Sequence, residues 1–328
     1  MEKLLAAWEA GCASSAPLRF IDLNLRGIAQ VMFQDNPLTG LLFLAAIAWG
    51  SLTAGNPAVL LAGLLGVATG TLTAQWLRAD RGALTAGLYG YNAVLVGMAL
   101  ATFLAPGPLL WVYVVIGAAV SVVVKIGTAN VAKDWGGALT GPFVLTTWLL
   151  LLATYGFAGL AGTELPAGRV VMPFESVADT RLSAAAFVEG VLQSISQVFL
   201  KGNAISALLL LAGLAVSSLA AAAFALAGAI VAVITAHVFG AESDLITGGL
   251  LGFSPLLTAI ALGTVFYQPR PRVAAYAALG TVFTVIAQAA LNVALMPFAI
   301  PALTAPFVLV SWLFLLPRQK FEPAPIGN

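Results

Sequence analysis

The chain has 328 residues, of which 61% are hydrophobic and 8% are charged. Soluble domains carry about 25% charged residues, so this composition excludes a soluble enzyme and indicates a polytopic membrane protein. The net charge of +1 gives no basic surface for nucleic acid, and a single cysteine, Cys12, excludes an intrachain disulfide.

The first half of the chain is predicted to form one repeat, over residues 18–157. Residues 1–17 precede it as a surface segment that lacks the positive start and apolar core of a signal peptide. A short helix then enters the membrane, and five apolar spans follow at about 38–53, 55–76, 91–106, 108–130 and 141–157. Some spans fall short of the ~20 residues that cross a bilayer. The segments 82–90 and 133–140 precede two of them, which predicts crossings built from broken pieces.

The second half repeats this order over residues 184–317. It follows a linker, 158–183, that is richer in proline and charged residues and is predicted to be extracytoplasmic. An entering helix is expected at 184–200, with further spans at about 204–219, 220–239, 253–268, 273–295 and 306–317. The polar tail, 318–328, is predicted to be cytoplasmic.

Three pairs of motifs carry the repeat. The decapeptide LTGPFVLTTW at 139–148 returns as LTAPFVLVSW at 303–312, 164 positions later, with seven of ten residues identical. Weaker matches join 30–36 to 197–203, 167 positions apart, and 87–95 to 249–257, 162 positions apart. A nearly constant offset indicates a duplicated unit.

An odd number of crossings in each unit makes the two repeats inverted relative to each other. With the N-terminus in the cytoplasm, ten basic residues fall on cytoplasmic segments and three, Arg169, Arg181 and Lys201, fall outside. This distribution follows the positive-inside rule and places both termini in the cytoplasm. The predicted fold is all-α, with about ten transmembrane helices in two inverted repeats of five and with broken or half helices lining a central pore.

Two threonines, Thr140 and Thr304, each stand two residues before a proline in the duplicated decapeptide. Broken helix ends carry carbonyl groups without an intrahelical partner, and a hydroxyl beside them adds further acceptors. Such a row of oxygens suits a neutral solute with several N–H donors. Alternatively, the two hydroxyls only cap the local backbone.

Other polar and flat side chains occupy matching places in the two repeats. Gln30 and Gln197 end the two entering helices, either along the pore or at the membrane interface. Tyr91 and Leu95 share a helix face, as do Phe253 and Leu257. These residues, together with Phe33, Val198 and Leu200, are interpreted either as a narrow slot for a flat solute or as ordinary packing.

Ion-coupled transport and catalysis are the alternatives to a passive pore. Coupled transport uses charges within the membrane, and the candidates here are Asp35, Lys125, Glu189, Lys201 and His237. Lys125 lies inside a span, where it either couples transport or bonds the exposed carbonyls of a broken helix. Since there is neither a ligand cluster nor a nucleophile motif, we expect no enzymatic activity, no metal and no cofactor.

Several of these motifs resemble the urea transporter family. They are GLYGYN at 87–92, LTGPF at 139–143, LTAPF at 303–307, and QVMF at 30–33 followed by Asn36 and Pro37. The similarity covers residues 18–317. It implies a passive, channel-like urea transporter of the inner (plasma) membrane, embedded in lipid, that forms a homotrimer with one pore per subunit and accepts urea and possible analogues.

The resemblance also implies roles for particular residues. Thr140 and Thr304 resemble the central threonines of a selectivity filter, and Gln30 and Gln197 would stand at oxygen ladders near its ends. Its dry middle and aromatic slot would be formed by Leu95, Val198, Leu257, Phe33 and Phe253.

Three positions depart from the family pattern. Ser254 stands where asparagine is frequent, Tyr91 where phenylalanine is common, and Gln197 where some members carry an acid.

Overall fold

A computed structural model describes residues 2–171 and 182–317, and this part of the chain is helical without a β-strand. One isolated bridge joins Leu104 to Gly162. Part of the predicted linker, 172–181 with Arg181, and the predicted tail, 318–328, lie outside the described residues.

The helices follow the predicted order closely. Those of the first half are α1 Glu2–Ser14, α2 Ala16–Ala29, α3 Pro37–Thr53, α4 Pro57–Trp76, α5 Arg81–Thr85, α6 Tyr91–Phe103, α7 Pro108–Val131 and α8 Gly141–Ala153. Those of the second half are α9 Ala184–Ser196, α10 Ala204–Ser217, α11 Leu219–Val238, α12 Ser243–Thr247, α13 Phe253–Ile260, α14 Pro271–Leu295 and α15 Ala305–Leu315. A π-helical turn, Ala261–Val265, continues α13.

Four of the described helices, α4, α7, α11 and α14, are long and apolar enough to cross a membrane. Two bent pairs reach that length only together: α2 and α3 meet at 76°, and α9 and α10 meet at 71°. Four shorter apolar helices are α6, α13 with its π-helical turn, α8 and α15. The helical, multi-pass membrane fold with broken helices is confirmed, while the number of ten crossings stays a prediction.

The two bends have the same local cause. Phe33 and Leu200 each end a short 3-10 turn in the left-handed region, with φ of 63° and 55°. Asn36 and Asn203 then start the next helix, because each side-chain oxygen accepts hydrogen bonds from the N–H groups two and three residues further on. The matched sequence positions thus break both entering helices at the same place.

Contacts between α3 and α10 show how the halves are oriented. The hydroxyl of Thr39 donates to the carbonyl of Gly213 at 2.8 Å, and the hydroxyl of Ser206 donates to the carbonyl of Ala46 at 2.8 Å. Ser206 is the repeat equivalent of Thr39, and Gly213 that of Ala46. Residue numbers therefore rise along α3 where they fall along α10, so the equivalent helices run antiparallel, as inverted repeats require.

Close backbone contact buries α6 against α4. A Cβ atom added at Gly97 would collide with the carbonyl oxygen of Ala62, and one added at Gly66 would collide with that of Ala93. Small residues allow membrane helices to approach in this way. As a result α6 is buried from Tyr91 through Ala101 and forms a fixed wall in the middle of the molecule.

Candidate functional site

The two copies of the duplicated decapeptide meet at the start of α8 and α15. Thr140 and Thr304 occupy the N-cap positions, yet neither side chain caps its own helix. Their Oγ1 atoms instead lie 2.7 Å apart and share a hydrogen bond, with both residues buried. The alternative interpretation was that each hydroxyl only caps the local backbone. The structure instead shows the two hydroxyls bonded to each other across the halves.

The residues just before the threonines have an unusual backbone conformation. Leu139 and Leu303 have φ of 48° and 52°, a region that side chains other than glycine seldom adopt. In the first half the Leu139 carbonyl accepts from the Tyr91 hydroxyl at 2.6 Å and from the Asn92 amide at 3.3 Å. These bonds offset the conformational cost and hold Thr140 in place.

The second half holds its equivalent carbonyl less firmly. The carbonyl of Leu303 accepts from the hydroxyl of Ser254 at 3.4 Å. The first-half equivalent of Ser254 is Asn92, which both donates to the carbonyl of Leu139 and accepts from the N–H of Phe143 at 3.0 Å. A serine hydroxyl is too short to reach both partners. The departure from the family pattern at Ser254 therefore makes the two sides of the hydroxyl pair unequal.

Two tryptophans tie the segments ahead of the threonines across the halves. Trp148 donates from Nε1 to the carbonyl of Pro301 at 2.8 Å, and Trp312 donates from Nε1 to the carbonyl of Gly137 at 3.0 Å. The donors are equivalent residues of the decapeptide, and so are the acceptors. Sequence reasoning included these tryptophans in the motif but assigned them no role.

The two glutamines fix the turns that precede α6 and α13. Gln30 donates from Nε2 to the carbonyl of Ala86 at 2.9 Å, and Gln197 donates from Nε2 to the carbonyl of Gly248 at 3.2 Å. Both glutamines are half-buried. Because the amide nitrogen is used in this way, the side-chain oxygen is the group left to accept a hydrogen bond.

A cavity of about 240 Å³ leads to the hydroxyl pair from the first-half side. Four predicted site residues, Gln30, Phe33, Tyr91 and Thr140, line it. The lining also includes Lys125, which the sequence offered as a coupling charge, Leu139 of the decapeptide, and Phe266, to which the sequence did not point. Its walls combine flat rings with a few oxygen atoms, which suits a small, flat and neutral molecule.

Comparison with known proteins identifies the family of this chain. The family model described as urea transporter matches residues 21–319, which include every predicted site residue. Urea transporter 1 of Ovis aries is 31% identical over 310 residues, covering 92% of this chain and 78% of that protein. Urea transporter 1 of Rattus norvegicus is 32% identical over 306 residues, covering 91% and 77%. The chain belongs to the urea transporter family.

Seven of the predicted site residues do not line the cavity of this urea transporter family member. Leu95, Val198 and Leu257 are fully buried in the apolar core. The remaining four belong to the second half: Gln197, Leu200, Phe253 and Thr304. Of these, Thr304 reaches the cavity wall through its bond to Thr140.

The aromatic contact across the halves involves a ring that the sequence did not indicate as a slot residue. Phe33 meets Phe307 edge to face, with ring centroids 6.0 Å apart. Phe307 lies in the second decapeptide and is completely buried. It supports the position of Phe33, which in turn lines the cavity.

Lys125 does not bond the carbonyls of a broken helix, contrary to one of the two sequence interpretations. Its ammonium group lies over the ring of Tyr89, 4.0 Å from the centroid. Within residues 2–171 and 182–317 this ammonium group has no hydrogen bond or ion pair. Since Lys125 also lines the cavity, this charged group belongs to the site.

Proposed function

We propose that this protein carries urea passively across the membrane through a filter centred on Thr140 and Thr304. Membership of the urea transporter family supports urea as the solute. The observation that carries the proposal is the shared hydrogen bond of 2.7 Å between the two hydroxyls, reached from a cavity lined by aromatic rings and oxygen atoms. The helices that start there belong to opposite repeats.

The chemistry of the hydroxyl pair suits urea, which is planar and neutral and carries four N–H donors and a carbonyl acceptor. Each hydroxyl has one donor hydrogen and two lone pairs. When one hydroxyl donates to the other, one O–H and several lone pairs remain. A urea molecule at Thr140 therefore finds acceptors for its N–H groups and a donor for its oxygen.

Passage requires the threonine hydrogen bond to open. Urea can replace it with bonds to each hydroxyl, so that neither buried group is left without a partner. An unsatisfied buried group would cost about 1–3 kcal/mol. Transport also requires binding weak enough for release, which predicts a low apparent affinity.

The walls on either side of the pair have complementary roles. Phe33 and Tyr91 would cover the flat faces of urea on the first-half side, while the side-chain oxygen of Gln30 accepts from its edge. On the second-half side, the equivalents Leu200, Phe253 and Gln197 would do the same. Leu95, Val198 and Leu257 would line the dry middle of the filter and keep water out of it.

The arrangement in the membrane is part of the same proposal. The repeats would span 18–157 and 184–317, with the segment 1–17 and the tail 318–328 in the cytoplasm and the linker 158–183 outside. The excess of basic residues on the cytoplasmic side supports this orientation. We propose a homotrimer in the lipid of the inner (plasma) membrane, with one pore in each subunit.

Stopped-flow measurement of urea flux into proteoliposomes tests the proposal. Fast flux that is unchanged by a proton or sodium gradient, and that exceeds the flux into protein-free liposomes, is the expected result. Accumulation of urea only under an ion gradient would contradict a passive pore. It would favour the alternative, an ion-coupled transporter of a small amide or amine.

A further inference from the structure

Lys125 places one positive charge beside the cavity that ends at Thr140. Its side chain is half-buried, and its ammonium group rests on the ring of Tyr89 at 4.0 Å from the centroid. Asp80 is close enough to act on it electrostatically, but the two form no ion pair in the described part of the chain. The N–H groups of Lys125 that do not face the Tyr89 ring can therefore donate to a solute.

The opposite repeat has no charge at the equivalent position. Pro108 and Pro271 begin the equivalent helices α7 and α14, and Lys125 and Gln288 stand equally far along them. Gln288 is buried and donates from Nε2 to the Asn292 side chain at 3.0 Å. Because the fold accepts a neutral amide there, the charge of Lys125 is not required by the helix packing. The two repeats therefore differ in charge at this position.

Two other side chains of this cavity, those of Gln30 and Tyr91, already donate hydrogen bonds to the protein. Gln30 donates to the carbonyl of Ala86, and the hydroxyl of Tyr91 donates to the carbonyl of Leu139. These groups face a solute mainly as acceptors, which serves the N–H groups of urea but not its carbonyl oxygen. Lys125 supplies a donor for that oxygen in addition to the hydroxyl pair, and an ammonium group bonds such an oxygen strongly.

We propose that Lys125 is a specificity residue of this cavity, where it donates a hydrogen bond to the carbonyl oxygen of a neutral amide and repels cations of the same shape. The inference rests on the proposed function. Guanidinium is the critical comparison, because it is planar like urea and carries similar N–H donors. It has a third amino group in place of the carbonyl oxygen, and it is positively charged, so both its chemistry and its charge oppose binding beside Lys125.

The experiment measures urea flux into proteoliposomes with guanidinium chloride or acetamide as competitor at constant ionic strength. The variants are Lys125→Gln, which copies the residue of the other repeat, and Lys125→Arg, which keeps the charge. Lys133→Gln is the matched control, because Lys133 is exposed near the same end of α7 and does not line the cavity. Acetamide, which is neutral, should compete with urea in the wild-type protein and in all three variants.

We expect guanidinium to inhibit Lys125→Gln at a concentration about tenfold lower than the wild type, equivalent to about 1.4 kcal/mol. Lys125→Arg and Lys133→Gln should behave as the wild type does. The half-saturating urea concentration should rise about threefold in Lys125→Gln, since a single hydrogen bond is lost.

Equal guanidinium sensitivity of Lys125→Gln and the wild type would overturn the inference. The inference would also be overturned if guanidinium inhibited the wild-type protein as strongly as acetamide does. That comparison uses the wild-type protein alone and does not depend on the folding of a variant. Both results are distinct from a failure of the proposed function, which would show as wild-type protein without urea flux.

Discussion

The indole of Trp148, in the first half of the chain, donates a hydrogen bond of 2.8 Å to the carbonyl of Pro301, in the second. Trp312 and Gly137 form the equivalent bond in the opposite direction at 3.0 Å. Each bond fixes the segment just ahead of a threonine. The pair of bonds therefore sets the distance between Thr140 and Thr304, and a defect in either should affect both stability and transport.

Trp148→Phe and Trp312→Phe test this relationship. Each variant removes one indole donor while keeping an aromatic side chain, so we expect a loss of about 1 kcal/mol in the free energy of unfolding together with slower urea flux. Unfolding in detergent micelles and stopped-flow flux are the two measurements. Trp76→Phe is the control, because Trp76 is 80% exposed. Equal results for all three variants would show that the indole bonds do not position the site.

Thr140→Val and Thr304→Val should each slow urea flux about tenfold, the effect of losing roughly 1.4 kcal/mol of stabilisation in the transition state. Valine keeps the shape of threonine but cannot bond urea at the narrowest point. Thr147→Val is the control: that hydroxyl is also buried in α8 and has no hydrogen-bond partner among the described residues. Flux in Thr147→Val should stay at the wild-type rate. A similar loss in all three variants would argue for general damage to α8 and α15.

Asn92→Ser should reproduce in the first half the weaker arrangement of the second. It shortens a side chain that bonds both the carbonyl of Leu139 and the N–H of Phe143, so we expect the free energy of unfolding to fall by about 1–3 kcal/mol. Ser254→Ala, which removes a single longer bond to Leu303, should cost less. Thermal unfolding of the purified variants decides between them, and an equal or larger loss in Ser254→Ala would contradict the account.

Gly97→Ala should prevent α6 from packing against α4. The added methyl group would meet the carbonyl oxygen of Ala62, and overpacking of this kind costs about 1–3 kcal/mol. Gly127→Ala is the matched control, because a Cβ atom at Gly127 has no atom within 4 Å. We expect Gly97→Ala to lower the midpoint of thermal unfolding and Gly127→Ala to leave it unchanged or raise it. Wild-type stability of Gly97→Ala would show that the helices can separate at little cost.

Most helix boundaries could be predicted because specific residues start and end them. Pro37, Pro57, Pro108 and Pro271 each stand at the first position of a helix, where the missing N–H is no disadvantage. Asn36 and Asn203 cap the helices after the two bends. The lengths of the apolar segments were less informative about the number of membrane crossings. The short apolar helices could be recognised as parts of the membrane region, but their length does not show whether each one crosses it.

The candidate site could be predicted only where both repeats carried the same signal. The duplicated Thr140 and Thr304 indicated a shared role, and the structure brings their hydroxyls together. Periodicity could not separate Leu95 and Leu257, which lie in the core, from Tyr91, which lines the cavity, because α6 and α13 are each buried on nearly all sides. Contacts across the halves, such as that of Phe33 with Phe307, depend on how inverted helices cross, which a sequence pattern does not encode.

The central claim is that urea passes between Thr140 and Thr304. Replacing both by cysteine, together with Cys12→Ser to remove the native thiol, tests it most directly. The two hydroxyl oxygens lie 2.7 Å apart, so thiols in their place are close enough to form a disulfide. We predict that the reduced protein conducts urea, that oxidation abolishes flux and that dithiothreitol restores it, while each single-cysteine variant is insensitive to oxidation. Undiminished flux in protein whose disulfide is confirmed by mass spectrometry would contradict the account.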